Sequence, residues 1–274
     1  MCTAERATVS SGLLGPDQVW TTDLPGRDSF LNHHRLHTKP LLPAAFAMAL
    51  AAEAVGRRAP ISFENVTFHA PMYASTIPAA YRFLPHPAGM RIVFGDPANG
   101  LTCAEFDIRD CPAQLPGPAS EPADLISTVY GPYVGTAALD MSGPFVGLRQ
   151  LRARAGRARA RYQPRLPDTP TMYPDFPICA RLVDAMIQLA LVSLGARRGG
   201  MHQLLPSGWD AVRVDCPETD RQLLARHPEG IELHAETRGA RDADVIATTP
   251  TGHPIAHLIG LRAVDLTRRP RDTR

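Results

Sequence analysis

Two segments of this chain have helical periodicity, yet they are apolar on nearly every side, so each must be wrapped by other structure rather than laid on a surface. The first is PAAFAMALAAEAVG at 43–56. It opens at Pro43, where a missing amide proton costs nothing in a first turn, and stops at Gly56 before Arg57 and Arg58, the basic end that a helix dipole favours. The second runs over 177–196, with Ile178, Leu182, Met186, Leu189 and Leu194 at roughly helical spacing. On it, Asp184 and Gln188 fall at i and i+4, two polar groups on one face of an otherwise apolar helix.

Short alternating or apolar runs bounded by Gly and Pro surround these helices, at 61–68, 80–84, 90–95, 101–109, 210–215, 230–237, 243–249 and 254–264. They read as antiparallel strands. Each helix is followed by several of them, and the proline-rich stretch CPAQLPGPASEP at 111–122 divides the two sets. The expected class is α+β, with two similar halves, each a curved antiparallel sheet around one buried helix. No residue-level repeat accompanies this pattern.

Composition narrows the function. Of 274 residues 44% are apolar, enough for a real core, and 29 basic against 27 acidic side chains leave a net charge of +2. No global field draws such a chain onto nucleic acid or a membrane surface. Cys2, Cys103, Cys111, Cys179 and Cys216 form no Cys-x-x-Cys pair and read as reduced thiols. The amino end lacks the apolar core of a signal peptide and the apolar runs are too short for a bilayer, so the expected location is cytoplasmic.

Chemistry concentrates in two places. FLNHHRLHTKPLLPAAF, just before the first helix, carries His33, His34 and His37. An imidazole titrates near neutrality and suits acid/base work, but a loop of surface histidines is the plainer reading. A metal site lacks the accompanying ligand-spaced Cys or acidic residues. Asp184 lies among Leu182, Val183, Ala185, Met186 and Ile187, so it must be paired, protonated, facing a cleft or turned to solvent.

The segment from Leu31 to Pro43 resembles the first signature of polyketide synthase dehydratase domains, a histidine followed nine positions later by proline. His34 and Pro43 have that spacing, with Leu31, Leu41 and Leu42 as apolar flanks, whereas His33 and His37 do not occupy the catalytic position. LVDAMIQ, giving Asp184 and Gln188, is similar to the second signature. GPFVGLRQL at 143–151 resembles the family's Gly-Pro-x-Phe segment through Gly143 and Pro144, and LPSGWDAVRV at 205–214 and PIAHLIGLRAV at 254–264 follow in the family's order. The resemblance runs from about Trp20 to Leu266.

It implies a double hot-dog fold: one half over 16–110, a linker at 111–122, a second half over 123–267 and a polar tail at 268–274. It also implies a dehydratase acting on a β-hydroxyacyl thioester carried on the phosphopantetheine of a carrier protein. In that reading His34 removes the α-proton, Asp184, held protonated by an apolar setting, donates to the departing hydroxyl, and Gln188 orients Asp184. The amino end of the first helix would polarise the thioester carbonyl.

Three departures from the family pattern bear on substrate positioning. Thr38 stands where a glycine is expected and Ala44 where another is usual, so bulk is expected beside the carbonyl site. Ser142 replaces the tyrosine that often precedes the Gly-Pro pair, with Tyr130 or Tyr133 as substitutes from nearby. The alternative reading is therefore a cyclase or double-bond isomerase using the same dyad, and the rival class is a binding or scaffold role, against which both His34 and Asp184 argue. An unrelated hydrolase is disfavoured, since there is no Gly-x-Ser-x-Gly elbow and the cysteines lack a local activating motif, with Cys179, near Asp184 on the helix, as the one thiol of interest.

No metal or diffusible cofactor is implied. The expected partner is an acyl carrier protein or polyketide synthase met in trans, and exposed sheet edges would admit a homodimer. Arginines at 149, 152, 154, 157, 159 and 161 alternate with other residues; a solvated edge strand is favoured there over a carrier-docking patch.

Overall fold

The computed structural model describes residues 14–21, 29–74, 80–87, 89–111, 115, 117, 139–166, 175–197 and 204–266. Most of the 111–122 segment, Tyr130, Tyr133 and the 268–274 tail lie outside these described residues.

In chain order the first half contains β1 (Leu14–Gly15), β2 (Val19–Thr21), β3 (His34–Leu36), β4 (Lys39–Pro40), α1 (Ala44–Ala54), β5 (Ile61–Phe68), β6 (Ala80–His86), β7 (Gly89–Phe94) and β8 (Leu101–Asp110). The second contains β9 (Leu139–Met141), β10 (Leu148–Arg154), β11 (Arg157–Tyr162), α2 (Ala180–Arg197), β12 (Leu204–Val214), α3 (Asp220–Arg226), β13 (Ile231–Arg238), β14 (Asp242–Thr248) and β15 (Pro254–Asp265).

Twelve strands form one antiparallel sheet in the order β1-β2-β6-β7-β8-β5-β12-β15-β14-β13-β11-β10. The repeat that residue identities hide is explicit in this order. In each half, the last strand of the main sheet before the long helix (β2, β11) and the strand after it (β5, β12) are separated by the three strands that come last. The two post-helix strands meet antiparallel at the seam, with Ile61 opposite Val214 and Thr67 opposite Gly208.

Local chemistry explains the helix ends. Pro43 stays extended as the N-cap of α1, and the chain leaves through Gly56 at φ 65°, with Gly56 N–H bonded to Glu53 O and Arg57 N–H to Ala52 O. This paired closure needs a left-handed residue, which glycine adopts without a Cβ clash. Helix α2 begins at Ala180, three residues later than its proline suggests, because its first amides are held from a distance: the Asp220 carboxylate on α3 accepts from the N–H groups of Arg181 and Leu182.

Residues Ala45 to Ala52 are all fully enclosed, and Phe46 packs its ring against Phe30, Phe145 and Phe176, with the last pair 4.7 Å apart. Burying each large apolar side chain stabilises the fold by about 1.5–3 kcal/mol.

The expected strand at 210–215 is β12, which starts six residues earlier. Pro206 and Gly208 read as punctuation in sequence, but they sit inside the strand, where the register to β15 shifts at a bulge. Of the arginine-rich run, β10, with Arg149, Arg152 and Arg154, is the last strand of the sheet, whereas β11 is covered by β10 on one side and β13 on the other. Its arginines are paired across to β13, Arg157 with Glu236 at 3.1 Å, Arg159 with Glu232 at 3.2 Å and Arg161 with Glu232 at 2.7 Å.

Candidate active site

His34 is delivered by β3, which lies outside the main sheet in a small sheet with β4 and β9. Strands β3 and β4 are joined by a two-residue turn in which His37 and Thr38 take φ of 47° and 70°. Two successive positive φ angles give the hairpin a twist that matches its strands, a geometry normally built with Gly or Asn. Thr38 therefore takes a left-handed backbone that suits glycine better than a β-branched residue, at a strain of roughly 1–3 kcal/mol. Its side chain is exposed and does not line the cavity below, which corrects the expectation that it crowds the substrate.

The His34 ring is buried, 5.1 Å from the Phe145 ring, with Nδ1 3.0 Å from the Leu41 carbonyl. A carbonyl only accepts, so Nδ1 carries the proton and Nε2 keeps a lone pair. Burial lowers the His34 pKa below its usual 6.5 and Arg181 adds to that, outweighing Asp184 and the Leu41 carbonyl, which act to raise it. The ring is a neutral base with one nitrogen available.

Helix α2 brings Asp184, which is 4% exposed, together with Gln188. One carboxyl oxygen, Oδ2, accepts from Gln188 Nε2 at 2.6 Å and from Arg181 Nη1 at 2.9 Å. Gln188 also donates to the Phe145 carbonyl at 3.3 Å, tying α2 to the Gly143–Phe145 turn. The surroundings of Asp184 are thus not purely apolar, as its sequence neighbours suggest. Arg181, one helical turn earlier, is fully buried beside it.

His34, Asp184 and Gln188 line a single cavity of about 280 Å³. Its walls come from both halves, with Leu42, Phe68 and Met72 on one side and Ile187 and Leu191 on the other. Ala44, the first residue of α1, also lines it. The amides of Phe46 and Ala47 turn back onto the Pro43 carbonyl, so Pro43 shapes the helix start without contacting the cavity itself.

The other sequence candidates stand beside the cavity rather than in it. Ser142 Oγ lies 2.9 Å from His33 Nδ1, and its N–H bonds the His33 carbonyl, so both side chains are engaged with each other. Gly143 has φ 53°, and a Cβ there would meet the His33 ring at 2.9 Å; the glycine is required for that approach. Pro144 is buried and helps present Phe145. The three histidines diverge: His34 inward, His33 to Ser142, His37 exposed in the turn. Among the described residues no group of three His, Cys, Asp or Glu side chains is placed to hold a metal ion.

Two functional candidates escaped the sequence reading. Arg181 carries no motif signal, because an arginine in an apolar helix reads as a snorkelling surface residue. Asp220 holds the start of α2 and also accepts from the Tyr162 hydroxyl at 2.8 Å; burial raises its pKa against the pull of these donors. The Thr219 to Gln222 capping box marks the start of α3 in the sequence and so points to Asp220's element, but not to its role.

Comparison with known proteins follows the same lines. Residues 7–81 match the family model described as polyketide synthase dehydratase domain, and residues 118–273 match that described as polyketide synthase dehydratase N-terminal domain. No curated protein sequence matches the chain significantly. Among solved structures, the dehydratase domain from the CurK module of the curacin polyketide synthase superposes with a TM-score of 0.67 at 17% identity, covering 90% of this chain and 92% of that one. The dehydratase domain of RzxB from Pseudomonas fluorescens gives 0.66 at 16% identity over 90% and 94%. A trans-acyltransferase polyketide synthase enoyl-isomerase gives 0.64 at 14% identity over 90% and 98%.

At these identities the superpositions speak for the fold, which is the double hot-dog. No helix of the described residues is long and apolar enough to cross a membrane. With one family model alone spanning more than half of the 274 residues, the chain belongs to the polyketide synthase dehydratase family.

Proposed function

We propose that this protein eliminates water from a β-hydroxyacyl thioester presented on the phosphopantetheine arm of a carrier protein, with His34 and Asp184 as the acid/base pair. The observation that carries this reading is the shared cavity, in which a neutral imidazole from one half and a carboxyl group from the other line one mostly apolar space. An acyl chain fits such walls, and excluded water strengthens every polar interaction inside them.

In this mechanism His34 Nε2 takes the α-proton while the thioester oxygen gains charge. The amides of Ala44 and Ala45, ahead of those that close on Pro43, are placed at the helix start to stabilise it. The Cα–Cβ double bond forms as the β C–O bond breaks. Asp184 donates a proton from Oδ1 to the leaving hydroxyl, Oδ2 being occupied by Gln188 and Arg181. The proton on His34 is then returned to Asp184 and water leaves. No metal or diffusible cofactor takes part in any of these steps.

A second reading, cyclisation or double-bond migration with the same dyad, is favoured by one observation. Ser142, in the place of a tyrosine that assists the hydroxyl, is turned to His33 instead. A panel of β-hydroxyacyl carrier and pantetheine thioesters, followed by mass spectrometry beside His34→Ala and Asp184→Asn, separates the two. Loss of one water, reduced by between about a hundredfold and ten-thousandfold in each variant, is the expected outcome. Conversion without change of mass and with the same dependence supports the second reading, and turnover indifferent to both residues sinks the dyad.

A further inference from the structure

Arg181 sits one turn before Asp184 on α2, is fully enclosed, and approaches Asp184 Oδ2 to 2.9 Å. A guanidinium does not lose its charge in a protein, and enclosing it is strongly unfavourable without a counter-charge and hydrogen bonds. Its described contacts converge on the candidate site. The Phe145 ring lies under the guanidinium at 4.5 Å, and that same ring is 5.1 Å from His34. Its own backbone N–H is fixed at 2.8 Å by Asp220, so the side chain springs from an anchored helix start.

We propose that Arg181 is a positioning residue for the reaction: it fixes the Asp184 carboxyl through Oδ2, so that Oδ1 is the oxygen that exchanges a proton with the substrate. This rests on the His34/Asp184 chemistry above. Gln188 alone leaves the carboxyl free to pivot about a single contact. With a donor from each flanking turn of α2, Arg181 three residues before and Gln188 four residues after, the carboxyl plane is held. Asp184 then works as one oriented oxygen rather than two interchangeable ones, which is what proton transfer at a defined angle requires.

The test compares Arg181→Met, which keeps bulk and removes charge, with Arg181→Lys and with the double variant Arg181→Met/Asp184→Asn. The substrate is a β-hydroxyacyl pantetheine thioester that the wild type turns over. Arg181→Met is expected to lower kcat at least about tenfold while KM changes little, because orientation is lost in the transition state and not in substrate binding. Arg181→Lys should recover part of kcat. Denaturant unfolding should show the costs of Arg181→Met and Asp184→Asn to be non-additive in the double variant, since each single change already removes the same enclosed Arg181–Asp184 contact.

A folded Arg181→Met protein as fast as wild type, or a loss of kcat equal in the Met and Lys variants, overturns the positioning role. Strict additivity in the unfolding cycle overturns it as well, whatever the turnover. Wild-type turnover abolished by His34→Ala shows the underlying dyad intact, so these failures belong to the Arg181 assignment alone.

Discussion

The two long helices occupy equivalent places in a repeated topology, yet they do opposite things with polar groups. Every enclosed side chain of α1 is apolar, from Ala45 to Ala52. Helix α2 encloses Arg181, Asp184, Gln188 and Ser193 within the same kind of sheet. The difference lies in what surrounds each. Around α2, Asp220 holds the first amides, Arg181 and Gln188 share Asp184, and the Phe145 carbonyl accepts from Gln188. Near α1 the histidine is supplied by a separate strand, and of the helix itself Ala44 alone lines the cavity. A double fold can thus divide labour: one helix is packing and the other holds the enclosed polar groups of the candidate site, because only α2 is surrounded by partners for them.

The contrast is broken most sharply by moving a carboxylate to the wrong helix. Ala49→Asp, at a fully enclosed position of α1 with no cation on its helix face, is expected to destabilise the protein by about 3–5 kcal/mol in urea unfolding. A cost below about 1 kcal/mol would mean that α1 tolerates charge as α2 does, and that the asymmetry is incidental.

A smaller effect is expected from removing the support of α2. Asp220→Ala removes the carboxylate that accepts from the N–H groups of Arg181 and Leu182 and from the Tyr162 hydroxyl, and should cost at least about 2 kcal/mol. If the helix start positions Arg181 and Asp184, kcat falls in the folded variant too; an unchanged kcat would confine Asp220 to stability.

The mildest test uses pH. His34 has its folded pKa below the usual 6.5, so the unfolded chain binds its proton first as pH falls. The stability from keeping it neutral is present in full above 6.5 and is lost as pH falls from there through the lower folded value. His257 is shifted in the same direction, also chiefly by burial. The thermal midpoint of wild type should drop below pH 6.5 more steeply than that of His34→Gln; parallel curves would show that His34 is not enclosed as a neutral base.

Much of the fold was legible because burial leaves a local imprint. The expected strand at 61–68 is β5 residue for residue, and both helices appear within three residues of their expected starts. Hydrophobic period and turn residues act within one element, so they can be read along the chain. Asp184 and Gln188 were nameable as two polar groups on one face of an apolar helix, whereas His34 stood out from His33 and His37 only through the resemblance to the dehydratase signature. The β10–β11 hairpin was less clear, because its arginine alternation is satisfied by glutamates more than seventy positions away.

By itself, then, the sequence determined that two apolar helices had to be wrapped by antiparallel strands and which polar residues lay near them. Tertiary structure alone decided that Ser142 turns to His33, that Thr38 points to solvent, and that Leu41 sets the tautomer of His34. It also decided that Arg181 is enclosed beside Asp184 and that Asp220 reaches α2 from across the second half. The physical reason is that periodicity records whether a side chain is enclosed, whereas its charge, orientation and partner depend on groups brought close only when the strands pair.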